Sequence, residues 1–529
     1  MKKRFLFCLL LLTVFAACKK NDNYFSDLNK NNTNPTDIDG GTTPTDHNKM
    51  PLLVNFKINN ASCAFDSVSN SYYYPVPLGQ SLSGYKVNFD TTAAQIIYLD
   101  NARVTNGGTV NDNSLRTNET ISIRVVNSLN NSTTYNLIIT GLPIVTLSTV
   151  GVIGDDKING SFHLVDPEYN LAGRKIETTS NIKIGIRGAT SRFYSKKSYS
   201  VDLIDASGND TDASLLGLRN DNKWILDAMY IDQGRMRNRL CTDIWNSFNN
   251  VPHIDSEPDA LNGTRGYMTE VFLNNKYLGL YCLTERLDRK QLKVKKQYGS
   301  VYKADNWSNE VNFTGLSPFN NSNATWGGWE FEYPDLGDAP SPDWAPLYNL
   351  TYFVSTTPDD EFADGIGNRI DINNMVDYFI MLNVLQANDN SSKNTFLSFY
   401  DSRTHPKFFY SVWDLDATFG RNWDGNTLSN ATIGAGANFM LYRLLELNTD
   451  NFKQLVKDRW NNLKSDQLSK NTINSRIETY RKQLASTGAF ARESTLWFNP
   501  TQNINTETEY MTNWYNAQFD LVDHYFNNL

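Results

Sequence analysis

In the stretch QANDNSSKNTFLSFYD, residues 386–401, Asp389 is followed five positions later by Asn394, and the chain then turns into a β-like run. A second acid pair, Asp414 and Asp416, lies further on in KFFYSVWDLDATFG. Hard oxygen ligands grouped like this suit Mg²⁺, which takes one or two carboxylates together with phosphate oxygens. An Asp that accepts a hydroxyl proton, an Asn five residues later and an Asp beyond a hairpin form the ordering used for phosphoryl transfer. The His-Arg that precedes such an Asp in protein kinases is replaced here by Ala387 and Asn388. A lone DxxxxN spacing arises easily by chance, and a polar loop with an acid pair at a strand end would produce the same letters.

The flanking segments must position these groups. IDINNMVDYFIMLNVLQAN places Ile372, Met375, Val376, Phe379 and Ile380 on one helical face, with Asp371 as N-cap, so a helix over about 371–387 is expected to run into Asp389. TFLSFY and KFFYSVWDLD, joined by the turn DSRTHP, read as a hairpin. Phe408, Tyr410, Val412, Asp414 and Asp416 share one parity, so an extended strand would project both carboxylates from one face.

Further basic and acidic candidates lie upstream. In RFYSKKSYSVDLID, Lys197 shares its parity with Tyr199, Val201 and Leu203, which points it toward the buried side, where a lysine needs a partner such as a nucleotide phosphate. A strand-edge lysine whose head reaches water is the alternative. YIDQGRMRNRLCTDIWNSF puts Met236, Leu240, Ile244 and Phe248 on one helical face flanked by Arg237, a candidate phosphate contact. GYMTEVFLNNKYLGLYCLTERLD reads as a hairpin turning at Asn274-Asn275 and closed by Glu285. No glutamate lies between Asp232 and Phe248, so Glu285 or Glu270 is the candidate partner for the strand lysine.

The whole chain bounds these readings. Its 529 residues exceed one ordinary domain, 40% hydrophobic content allows a sizeable core, and a net charge of −8 argues against gripping nucleic acid through a broad basic face. MKKRFLFCLLLLTVFAACKK has a basic start, an apolar run too short to span a bilayer, and small residues before Cys18. That pattern resembles a bacterial lipoprotein signal over residues 1–17. Cys18 would then carry the lipid and hold an exported protein to a membrane, the outer membrane being the expected one, on its periplasmic or outer face.

Residues 18–50 are polar and too poor in apolar groups to fold. A flexible tether of that length reaches roughly 30 Å. Of five Cys, the widely spaced Cys63, Cys241 and Cys282 form neither a disulfide framework nor a zinc pattern, and the five His contain no HxxxH pair that would favour a metal-dependent hydrolase. Residues 51–142 are short β-like runs between polar turns, which suggests a small sandwich used as a spacer or adhesive module. From 143 onward, strands dominate to about 305 and helices predominate over 306–529, an α+β order. The aromatic stretch NATWGGWEFEYPD, residues 323–335, suits stacking on sugar rings, covering a cleft, or loop packing.

Taken together, IRGATSRFYSKKSYSVDL, KWILDAMYIDQGRMRNRL, TEVFLNNKYLGLYCLTERLD, VYKAD, NDNSSKN and SVWDLDATFG resemble, in order, the CotH kinase family over residues 143–529. The leading β module resembles the Ig-like or cadherin-like sandwiches of exported proteins. The resemblance implies an atypical two-lobed protein-kinase fold that moves the γ-phosphate of ATP to Ser or Thr of a protein substrate. It implies Asp389 at the catalytic acid position and Asn394, Asp414 and Asp416 at the metal site. Lys197 and Glu285 fall at family-typical positions and, with Arg237 from the reading above, are the expected nucleotide or phosphate contacts. Ala189 replaces the family's usual Asn in RGATSR, and no GxGxxG loop is present. A surface binding or adhesion protein on a kinase-like scaffold is the competing expectation, because ATP is scarce outside the cytoplasm and fold alone does not fix function.

Overall fold

The computed structural model describes residues 50–529 apart from 95, 114, 336, 338–340, 429–432 and 498–501. The expected signal, Cys18 and almost all of the tether therefore lie outside the described residues. Met50–Leu529 form one compact unit containing both helices and strands, an α+β chain.

The first nine strands make two sheets. Ala61–Ser62, Leu52–Ile58 and Val87–Thr92 form one. The six-stranded sheet runs Ala64–Asp66, Ser71–Pro75, Ser132–Thr140, Thr120–Val126, Ile96–Leu99, Ala102–Val104. Alternating apolar residues such as Phe56, Tyr72, Ile123 and Leu137 meet in one core. Tyr73 stacks on Tyr277 at a centroid distance of 5.5 Å, so this β-rich region packs on the strands that follow.

Those strands close on themselves. Ile144–Thr149, Ile158–Val165, Glu177–Arg187, Ser198–Ile204, Lys223–Asp227, Lys276–Glu285 and Gly266–Leu273 form a seven-stranded barrel, antiparallel except where the first and last pair in parallel. Leu147, Phe162, Ile182, Val201, Leu203, Trp224 and Leu283 fill its interior. Closure leaves no free sheet edge on this element. The hairpin predicted at Asn274-Asn275 is present, both residues having positive φ (51° and 60°), as its tight turn requires.

A second sheet has the order Thr325–Trp326, Trp329–Tyr333, Ser300–Ala304, Thr395–Asp401, His405–Val412. Trp326 and Trp329 are buried here, packed with Trp344 and Phe313, so these two rings are core rather than a stacking surface. The predicted helix before Asp389 spans Ile372–Val384, and the Asp371 side chain accepts a hydrogen bond from the Asn374 amide. All its residues from Asn374 to Val384 are buried, which explains why its apolar content extends beyond one face. The helix Ala489–Trp497, which precedes the last helix Ile504–Asn527, packs on barrel strand Lys276–Glu285.

Candidate active site

A cleft of about 410 Å³ opens between the barrel and the second sheet. Asp389, Asn394, Asp414 and Asp416 all line it, as do Lys196, Asp227, Asn238, Arg187 and Lys393. The volume falls within the ordinary range for small-molecule sites.

The loop after helix Ile372–Val384 is fixed from several sides. The Tyr378 hydroxyl donates to the Asn390 carbonyl at 2.5 Å, and the Asn390 amide donates to the carbonyls of Asn394 and Trp413 at 2.8 Å each. One asparagine thus ties the Asp389 loop to the chain entering the DLD segment. Asn394 has φ of 58°, a left-handed conformation that Asn tolerates well, and its backbone N–H reaches the Ala304 carbonyl at 2.8 Å. Its amide donates to Asp389 Oδ2 at 2.8 Å, leaving Asn394 Oδ1 as a potential oxygen ligand. Lys393 Nζ lies 3.3 Å from the same Asp389 oxygen.

The acid pair is brought in differently from the extended-strand expectation. The strand ends at Val412, and Asp414 sits at φ 55°, so parity stops before the carboxylates. A turn, not a pleat, turns both side chains toward the cleft. Asn238 holds it: Oδ1 accepts the Leu415 N–H at 3.1 Å, and the amide donates to Asp227 at 3.0 Å. Arg237 supports the next residues through Thr418, whose carbonyl accepts its Nε–H at 3.1 Å.

Among the described residues, neither Asp414 nor Asp416 accepts a hydrogen bond or forms an ion pair. Burial, with Asp227 adding to it, pushes the Asp414 carboxyl up to about 6. Burial and then the neighbouring Asp414 and Asp227 push Asp416 well above the usual carboxylate range. Burial also lowers the nearby Arg187 guanidinium, so the cation facing Asp414 is itself poorly solvated. Arg187 and Lys393 offset only part of the charge of these crowded carboxylates.

Among the described residues no three His, Cys, Asp or Glu side chains are placed to hold a metal ion by themselves. Two carboxylates and an amide oxygen nevertheless fit Mg²⁺ arriving with phosphate, because Mg²⁺ draws its remaining ligands from phosphate and water.

The basic and acidic candidates upstream sort unevenly. Lys197 does not point inward. The strand begins only at Ser198, so the parity argument fails one residue too early, and Lys197 Nζ donates to the Arg192 carbonyl at 2.7 Å. Lys196 is the buried lysine. Its ammonium lies 4.4 Å from the Tyr281 ring centroid, pairs with Glu493 at 2.7 Å and donates to the Leu280 carbonyl. Burial lowers Lys196 to about 8, with Glu493 pulling it part of the way back. Helix Ala489–Trp497, which carries Glu493, packs on barrel strand Lys276–Glu285, so Lys196 reaches its partners across the barrel wall.

Arg237 is buried but spent on Asp232 and Glu507, at 2.6 Å each, and is not among the cleft-lining residues. Glu285 is likewise absent from the lining. Its carboxylate takes the Arg265 guanidinium at 2.7 Å and the Arg219 backbone N–H at 3.0 Å. Glu270 bonds Tyr277 and Arg492 at 2.7 and 2.8 Å. The lysine's partner is therefore neither Glu285 nor Glu270.

Sequence reasoning also missed Asp227, Asn238, Arg187 and Glu493. Asp227 ends the run KWILD and could have been noticed as a strand-end acid. Glu493 had no local signal, since 297 residues separate it from Lys196.

A family model described as CotH kinase protein matches residues 184–520, more than half of the chain, and that range contains every cleft residue named above. No curated protein matches the chain.

Proposed function

This chain belongs to the CotH kinase family, and on that premise we propose that it is a Mg-ATP-dependent protein kinase that phosphorylates Ser or Thr of surface or secreted proteins. The observation that carries the reading is the convergence of Asp389, Asn394, Asp414 and Asp416, from a helix-following loop and a post-hairpin turn, on one cleft shared with Lys196. The proposed two lobes are the barrel on one side of that cleft and the second sheet with its helices on the other.

Each residue has a role set by its surroundings. Asp389 orients the acceptor hydroxyl and takes its proton, held in place by Asn394. Asp416, Asp414 and Asn394 hold Mg²⁺, which when bound offsets the negative charge of the ATP phosphates. Lys196, kept cationic against burial by Glu493, faces the phosphates as a fixed positive charge. The chain's contribution is then mainly positioning and charge stabilisation in a partly dry site. The N-terminal signal and Cys18 are read as exporting the protein and anchoring it through lipid to the outer membrane, which places its acceptors among surface and secreted proteins.

Two measurements on the purified chain test this. Mg-ATP at millimolar concentration is expected to raise the melting temperature, because a ligand that binds only the folded state stabilises it, by about 2.7 kcal/mol at one hundred times Kd. Labelled ATP is expected to transfer phosphate to serine or threonine in a mixture of cell-surface proteins. A melting curve indifferent to nucleotide, together with no transfer, would favour a binding protein on a kinase-like scaffold.

A further inference from the structure

Asp389 has a third partner that none of the roles above uses. The Trp307 indole N–H donates to Asp389 Oδ1 at 3.2 Å, while Asn394 and Lys393 both address Oδ2. Trp307 lies in the irregular segment between strands Ser300–Ala304 and Thr325–Trp326, and the residue is 49% exposed. The backbone beside it is pinned. The N–H groups of Asp305 and Asn306 donate to the Gly328 carbonyl at 3.0 and 3.1 Å, and Ser308 Oγ accepts the Val311 N–H at 3.0 Å. A large apolar ring is thus held half in water against the carboxylate that must meet the acceptor.

Resting on the kinase reading, we propose that Trp307 is a specificity-determining residue that selects acceptor segments with an apolar side chain beside the target Ser or Thr. Each carboxylate oxygen accepts two hydrogen bonds. Oδ2 already has Asn394 with Lys393 beside it, so Oδ1 is the oxygen with room for an acceptor hydroxyl. A hydroxyl bonded there, about 2.7 Å from Oδ1, lies within roughly 6 Å of the indole nitrogen, which shares that oxygen. The residues next to the acceptor then pass over the exposed ring. An apolar neighbour gains by covering it, whereas glycine offers nothing to bury. The indole N–H also fixes the rotation of the carboxylate, so Trp307 both touches the acceptor segment and orients Asp389.

The test uses the full chain, labelled ATP and two peptides with a single serine flanked on both sides by leucine or by glycine. The wild type is expected to favour the leucine peptide by about tenfold, through KM, as partial burial of a leucine side chain would give. Trp307→Ala is expected to abolish that preference. Trp307→Phe keeps the ring and loses the N–H, so it should restore the KM preference while kcat stays below wild type. Calorimetric binding of the same peptides with alanine for serine gives a readout independent of transfer, and the leucine form should bind more weakly to Trp307→Ala. If the wild type phosphorylates both peptides and Trp307→Ala ranks them as the wild type does, this inference fails and the functional reading stands. If the wild type transfers phosphate to no acceptor, the functional reading fails and this inference falls with it.

Discussion

Asp416→Asn is expected to reduce phosphoryl transfer by about a thousandfold or more, the scale seen when charge-stabilising groups are removed from a transition state, while the protein stays folded and becomes more stable at neutral pH. The two effects share one cause. Asp416 is a half-buried carboxyl crowded by Asp414 and Asp227, and no hydrogen bond or ion pair to a described residue compensates it. Its ionised form is costly in the absence of a cation, so its carboxyl and that of Asp414 titrate above the usual range.

The sign of the pH dependence follows. Between the unfolded carboxylate value near 4 and the folded value of about 6 for Asp414, the folded chain binds more protons than the unfolded one. The stability contributed by the pair is therefore present at low pH and lost as pH rises through the folded values. Asp416→Asn should flatten that loss from about pH 4 upward. Thermal melts across this range, run alongside turnover with labelled ATP, check both halves. The melting-temperature gain on adding Mg-ATP should shrink in the variant. Turnover at the wild-type level would remove Asp416 from the metal site, and a melting profile as steep as that of the wild type would remove the crowding argument.

What the sequence made legible has a physical pattern. The helix Ile372–Val384, its Asp371 cap, the hairpin at Asn274-Asn275 and the Asp389–Asn394 spacing are local, set by periodicity, capping and turn chemistry within a few residues. They were readable for that reason. The errors arose where a local rule was carried past the end of its element. Parity placed Lys197 inside and an extended strand under Asp414, but the first strand starts at Ser198 and the second stops at Val412. Arg237, expected to flank an apolar helical face and contact phosphate, begins the helix Arg237–Asn246, yet its guanidinium is neutralised by Asp232 and by Glu507, 270 positions away. Glu285 failed in the same way, its charge being absorbed by Arg265. Whether a buried charge serves chemistry or structure depends on its partners, and partners distant in sequence leave no spacing to read.

Glu493 shows how much such a partner can matter. Its carboxylate takes Lys196 at 2.7 Å, Arg235 Nε at 2.8 Å and the Leu280 backbone N–H at 2.8 Å, with all three charged side chains fully buried. Removing one member of a buried pair typically costs about 3–5 kcal/mol, because the remaining charge is stranded. Glu493→Ala removes the carboxylate shared by two buried cations, which keep only backbone carbonyls such as those of Leu280 and Met229 among the partners named here, and is expected to fall within that range, read as a lower urea midpoint. Lys196→Met should cost less stability, since Glu493 keeps Arg235 and the Leu280 N–H, yet it removes an ammonium that lines the cleft and should lower transfer strongly. The double variant Lys196→Met/Glu493→Ala should lose less stability than the two single changes add up to, as expected for groups in contact.

The pH dependence separates this account from simple loss of packing. Burial holds Lys196 near 8, below the value of about 10.4 it has when unfolded. Between those values the unfolded chain binds more protons, so this group makes stability rise with pH. Without the charge on Glu493, the folded value falls further and the rise begins at lower pH. Urea unfolding of Glu493→Gln at several pH values should show that earlier onset, whereas an onset unchanged from wild type would mean the carboxylate does not govern Lys196. The neighbouring Arg492 bonds Glu270 on the barrel and reaches Thr140 in the first β region at 3.3 Å. Successive residues of one helix thus bear on the cleft lysine and on the junction with the leading sheets, so a change that shifts this helix should register in both stability and phosphate transfer.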